Sequence, residues 1–262
     1  KLVGLRAILT ALVAVPTLVL GAQKARAQTH VGMEIALLAD VSSSVSTAEY
    51  NLMLQGYVQA FQSAAVQDAI LNGPGSIAVT YIEFSGSTSQ STRVNWTLIN
   101  SAATANAFAA ALAANTRAFT GNTAPGSAIN YAVPLFASNA FTSDRQTIDV
   151  AGDGAENQGA NTATARDAAL TAGIDTINGL AILGEVGLEA WYNANIKGGV
   201  NSFVEPATDF NAFALSLRNK MTWEILGVPE PATIAVLTAS LLGLGVVRAR
   251  GRSESGARRP RA

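Results

Sequence analysis

Asp40 is followed, after Val41, by three consecutive serines, Ser42, Ser43 and Ser44, so one short stretch offers a carboxylate and a cluster of hydroxyls. These are hard oxygen donors, which suit Mg²⁺, Mn²⁺ or Ca²⁺ rather than zinc or copper. A second carboxylate stands at Asp153, between Gly152 and Gly154, and a glycine loop from Phe119 to Ser127 carries Thr120 and Thr123. Aspartate and serine also cap turns, so none of these strings makes a site alone.

Other chemistries are poorly supplied. The single histidine, His30, stands near the start of the chain beside a processing signal, which leaves no base for a Ser-His-Asp triad. No lysine follows the glycine loop as a phosphate-binding loop requires, and Asp40 has no second aspartate two residues on. There is no cysteine, hence no thiolate ligand or nucleophile. A net charge of −1 gives no footprint for nucleic acid. A non-enzymatic role is expected.

The elements around these residues explain how they would be presented. Ile35-Ala36-Leu37-Leu38-Ala39 reads as a buried strand that stops at Asp40, and Gln146 to Val150 reads as another that breaks just before Asp153. Both would deliver their carboxylates to the carboxyl edge of a sheet, where open α/β sheets bind ligands. Between and after them the spacing predicts a helix over 47–70, a strand over 77–84 with a hairpin partner over 92–99, and helices over 101–117 and 129–136. A helix over 162–172, a strand over 176–183, an irregular stretch with Trp191, Tyr192 and Gly198-Gly199, and a last helix over 209–225 follow. Strands alternating with helices imply an α/β fold with a doubly wound, mainly parallel sheet flanked by helices.

The ends differ in composition. Residues 1–27 carry a basic start, an apolar stretch and Ala25-Arg26-Ala27, as a secretory signal peptide does. A domain over 28–226 follows. Residues 227–262 begin Gly227-Val228-Pro229-Glu230-Pro231, continue through an apolar run over 232–247, and end with Arg248, Arg250 and Arg252 among the last residues.

Asp40-Val41-Ser42-Ser43-Ser44 resembles the D-x-S-x-S signature of von Willebrand factor type A (vWA) domains, including its place after an apolar first strand. The resemblance implies a metal-ion-dependent adhesion site (MIDAS) in which Asp40, Ser42 and Ser44 form the first loop, Thr123 the second and Asp153 the third. Thr120 competes with Thr123, and the following Gly126 favours Thr123. The expected cofactor is Mg²⁺, with Mn²⁺ or Ca²⁺ as alternatives, and the expected partner is an acidic group of a protein or polysaccharide. Glu156 and Asn157 are expected as solvated rim residues, and Glu83 as a carboxylate without a role. The third loop, with Tyr192-Asn193 and the stretch from Gly198 to Val204, is similar to an exported bacterial branch known as domain of unknown function 1194. The tail resembles the PEP-CTERM sorting signal, which implies recognition of Pro229-Glu230-Pro231 by an exosortase and transient residence of 232–247 in the inner membrane. These resemblances imply export to the cell surface or extracellular matrix.

Overall fold

A computed structural model describes residues 27–228. The expected signal peptide up to Arg26, Pro229-Glu230-Pro231 and the apolar run 232–247 lie outside the described residues. Among the described residues no helix is long and apolar enough to cross a membrane.

In chain order the strands are β1 (Thr29–Val31), β2 (Met33–Asp40), β3 (Ile77–Phe84), β4 (Gln90–Ile99), β5 (Phe141–Ser143), β6 (Gln146–Gly152), β7 (Thr176–Ile182), β8 (Gly198–Gly199) and β9 (Val204–Ala207). The helices are α1 (Thr47–Gln62), α2 (Ala64–Asn72), α3 (Ala102–Ala113), α4 (Pro125–Ala137), α5 (Thr162–Thr171), α6 (Leu188–Asn195) and α7 (Phe213–Leu226). The main sheet runs β4-β3-β2-β6-β7-β8, with β9 also on β7. Its core, β3-β2-β6-β7, is parallel, and β4 and β8 are antiparallel to their neighbours. A short parallel pair, β1 with β5, stands apart.

Every residue of β2 is buried, because strands flank it on both sides and helices cover both faces. Met33, Ile35, Leu37 and Ala39 point to the face packed by α1, α2, α3 and α7, while Ala36 and Leu38 point to that of α4, α5 and α6. This alternation makes an unbroken apolar run serve two cores at once.

Besides the short strands β1, β5 and β9, which the sequence did not announce, four helical segments differ from the sequence expectation. The helix over 47–70 is two helices, because Ser63 is extended (φ −74, ψ 140), donates to the Ala60 carbonyl and caps Val66 N–H. The helix over 101–117 stops at Ala113, where the Asn115 amide takes the carbonyls of Ala111 and Leu112. The stretch around Trp191 and Tyr192 is the helix α6, which its aromatic and asparagine-rich composition concealed. The last helix begins at Phe213 rather than 209, since the Asp209 carboxylate holds the N–H groups of Asn211 and Ala212 in a turn.

α7 is fixed to the sheet by buried charge. Lys220 Nζ lies 2.7 Å from Asp149 on β6 and 3.2 Å from Glu224. Glu224 also accepts from Asn178 of β7 at 2.6 Å. Burial opposes the Lys220 ammonium, but the two carboxylates outweigh it and hold its pKa above the ordinary lysine range.

Candidate metal centre

The chain leaves β2 for β3 on one side and later enters β6 on the other, so the carboxyl ends of β2 and β6 border a topological switch point. Asp40 is the last residue of β2 and Asp153 follows the end of β6. After Asp40 the chain makes a tight turn: Ser42 N–H donates to Asp40 Oδ1 at 2.8 Å, and Ser46 opens α1 with a capping box to Glu49. Ser42 Oγ lies 3.0 Å from Ser44 Oγ, and Ser44 Oγ donates to Asp153 Oδ1 at 2.7 Å. Two hydroxyls and a carboxylate from two loops therefore form a continuous chain of oxygens beside Asp40.

Thr123 is buried, whereas Thr120 is exposed. A Cβ placed on Gly154 would stand 3.5 Å from Thr123 Oγ1, so the threonine approaches the third loop next to Asp153. Its loop is held by Asn157, whose Oδ1 accepts from Thr123 N–H at 2.9 Å and whose own N–H donates to the Thr123 carbonyl at 3.0 Å. Asn157 thus orders the threonine loop, beyond the rim role expected for it. Glu156 turns the other way, accepting from the N–H and hydroxyl of Thr162 at the start of α5.

Asp40 is fully buried, and its Oδ2 has no hydrogen-bond partner. Burial pushes its pKa up to about 7, against the bonds from Ser42; Asp153 adds to the rise and Arg117 opposes it. Burial also raises the Asp153 carboxyl above the usual range, the Ser44 bond opposes it, and Glu49 and Glu185 add to the rise. Two carboxylates near one another and short of positive charge are electrostatically suited to a cation. Among the described residues no group of three or more His, Cys, Asp or Glu side chains is placed to hold a metal. An ion here would therefore draw on Ser42, Ser44 and Thr123 as well as on the two aspartates, and this all-oxygen set matches hard divalent ions.

The chain matches the family model described as protein of unknown function (DUF1194) over residues 30–229. The chain belongs to this family. No curated protein matches the DUF1194 chain. Solved structures do. A vWA domain from Catenulispora acidiphila is 16% identical, with a TM-score of 0.51 over 75% of this chain and 43% of that one. Proximal thread matrix protein 1 from the mussel byssus, in a form with a zinc-occupied MIDAS motif, is 16% identical, with a TM-score of 0.53 over 76% and 46%. The pilus adhesin SpaC from Lactobacillus rhamnosus GG, in an open conformation, is 14% identical, with a TM-score of 0.54 over 74% and 30%. The DUF1194 chain spans less than half the length of these solved chains. At such identities the likeness establishes the fold, that of vWA domains.

Three residues escaped the sequence reading. Arg117 donates to the carbonyls of Val41, Ser42 and Phe119, tying the serine turn to the glycine loop from behind. Tyr192, from the unforeseen α6, brings its hydroxyl to the site: a Cβ on Gly152 would lie 2.8 Å from Tyr192 Oη and 2.9 Å from Asp40 Oδ2. Glycine at 152 is what lets both oxygens approach. Glu83, expected to have no role, is wholly buried and accepts from Tyr50 Oη at 2.8 Å and Ala118 N–H at 2.8 Å, bracing α1 and the chain leading to the glycine loop. Pairing Arg117 with backbone carbonyls and Glu83 with a tyrosine across distant segments leaves no local sequence signal. Gly152 ahead of Asp153 was the visible clue to a close approach.

Proposed function

We propose that this protein is an exported binding module that uses a divalent ion to capture a carboxylate on its partner. The ion would be held by Asp40, Ser42, Ser44, Thr123 and Asp153, with Mg²⁺ as the expected occupant and Mn²⁺ or Ca²⁺ as alternatives. When bound it supplies a Lewis-acid position for an incoming oxygen ligand. The chain's own groups do the rest. Asp40 and Asp153 offset the charge, Arg117 and Asn157 fix the loops, and the serine and threonine hydroxyls give neutral ligands.

The observation that carries this reading is Asp40 Oδ2, a fully buried carboxylate oxygen with no partner beside a chain of hydroxyls. Such an atom is costly unless a cation or a proton satisfies it. Surface or matrix residence is supported by the neighbours, which include a pilus adhesin and a byssal matrix protein. Sorting by an exosortase through Pro229-Glu230-Pro231, with 232–247 passing through the inner membrane, belongs to the same proposal.

A second reading has its own support. Ser44 and Asp153 already join two loops, so an ion could act as a staple in a structural matrix protein. Calorimetric titration of Mg²⁺, Mn²⁺ and Ca²⁺ into the protein tests the site. One ion bound, and lost in Asp153→Ala, is the expected result; binding unchanged in that variant would place the metal elsewhere. Competition by acetate for the bound ion favours capture, and its absence favours the staple.

A further inference from the structure

The opening above the candidate centre is a cleft of about 530 Å³ whose walls include Ser44, Thr123 and Asp153. Three further carboxylates line it: Glu49 from the first turn of α1, Glu185 from the loop after β7, and Asp209 from the turn before α7. Among the described residues, no lysine, arginine or histidine lines the cleft. Arg117, whose charge acts on Asp40, has its guanidinium taken up by the carbonyls of Val41 and Ser42. The apolar Leu52 and Leu183 also line the cleft.

Charge balance gives this rim a consequence. A divalent ion held by Asp40 and Asp153 is neutralised by them, and Glu49, Glu185 and Asp209 remain. Their carboxylates are committed locally only as acceptors: Glu49 from Ser46 N–H, Glu185 from Ala155 N–H, Asp209 from Asn211 and Ala212 N–H. Backbone donors leave the negative charge in place. A carboxylate approaching the ion therefore enters a negative field, and its own neighbours decide whether it is admitted.

Resting on the metal reading above, we infer that the cleft selects a carboxylate carried among cationic side chains, in a lysine- or arginine-rich stretch of protein, and disfavours polyanionic chains such as acidic polysaccharide. The buried, unpartnered Asp40 Oδ2, beside the hydroxyls of Ser42 and Ser44, is the feature that calls for the ion. The three rim carboxylates determine what accompanies the ligand's acid. Exposed charge pairs are individually weak, so three acting together amount to a preference of about tenfold at low salt, shrinking as the Debye length falls below about 10 Å.

The test uses the full chain in two steps. Mn²⁺ binding is measured first, by electron paramagnetic resonance. Capture of the Mn²⁺-loaded protein is then measured on two immobilised synthetic peptides of equal length, one with glutamate flanked by lysines and one all glutamate. The expected result is at least tenfold preference for the lysine-flanked peptide, lost in the triple variant Glu49→Gln/Glu185→Gln/Asp209→Asn, whose amides keep the acceptor oxygens. Equal capture of both peptides, capture of neither, or an unchanged preference in the triple variant would overturn the inference while leaving the metal reading intact. Absence of Mn²⁺ binding by the wild type would overturn both.

Discussion

Replacing Asp40 by asparagine should make the metal-free protein more stable at alkaline pH while abolishing metal binding. Burial lifts the Asp40 pKa from 3.8 to about 7. A carboxyl with a folded pKa above its unfolded one holds its proton more tightly in the native state. Its contribution is therefore complete below about pH 4 and lost as pH rises toward 7. Over that window the loss amounts to ~4 kcal/mol at pH 8. Asparagine keeps an oxygen for Ser42 N–H but buries an amide without a partner at the position of Oδ2, costing about 1–3 kcal/mol. The variant should thus gain about 1–3 kcal/mol at pH 8, or about 2–10 °C in melting temperature for a domain of this size. At pH 4 the wild-type carboxyl is largely protonated, so the gain should vanish or reverse. Circular-dichroism melts in chelator at pH 4 and pH 8 measure both. Added Mn²⁺ should raise the wild-type melting temperature at pH 8 and leave the variant unmoved. A variant that melts at or below wild type at pH 8, or differs from it equally at both pH values, would refute the argument that Asp40 is a destabilising charge awaiting a cation.

Gly152→Ala places a methyl 2.8 Å from both Asp40 Cβ and Tyr192 Oη; it should cost about 1–3 kcal/mol in denaturant titration and weaken Mn²⁺ binding at the same time. Tyr192→Phe keeps the buried ring but removes the hydroxyl near Asp40, so calorimetry should show metal affinity about tenfold weaker with an unchanged melting temperature in chelator. Lys220→Met leaves Asp149 and Glu224 buried without their counter-charge; it should cost about 3–5 kcal/mol, read as a lower melting temperature, with Mn²⁺ affinity unaltered.

The first loop was legible because its two signals are both local. Apolar residues mark a strand buried on two faces, and their abrupt end at Asp40 marks the sheet edge, so Asp40, Ser42 and Ser44 could be placed without knowing the rest of the chain. Thr123 and Asp153 came from the resemblance to vWA domains, and the order β3-β2-β6 shows why they could not be read locally: β6 pairs with β2 across more than a hundred residues of chain. What escaped was the supporting scaffold. Arg117 was read as the end of a helix, yet its guanidinium gathers carbonyls from Val41 and Ser42, more than seventy residues earlier. Tyr192 sat in a stretch whose composition hid a helix, and its hydroxyl comes over Gly152, on the Asp40 side, only because β7 lies beside β6 and α6 packs on β7. Such contacts arise from tertiary closure and follow no periodicity along the chain.

The rim is a case of the same kind with a functional consequence. Glu49 has a local role in the capping box of α1, Asp209 in the turn before α7, where the sequence pattern places the start of the helix, and Glu185 as an acceptor for Ala155 N–H. The fold then brings the three to one cleft without a basic residue among its described walls. An ion held there would by its own chemistry accept any accessible carboxylate, so discrimination between partners would have to come from the charges that surround it. With an ion bound, an acidic rim would divide the work: the metal would supply attraction to the acid, and the rim would favour acids that bring positive charge with them.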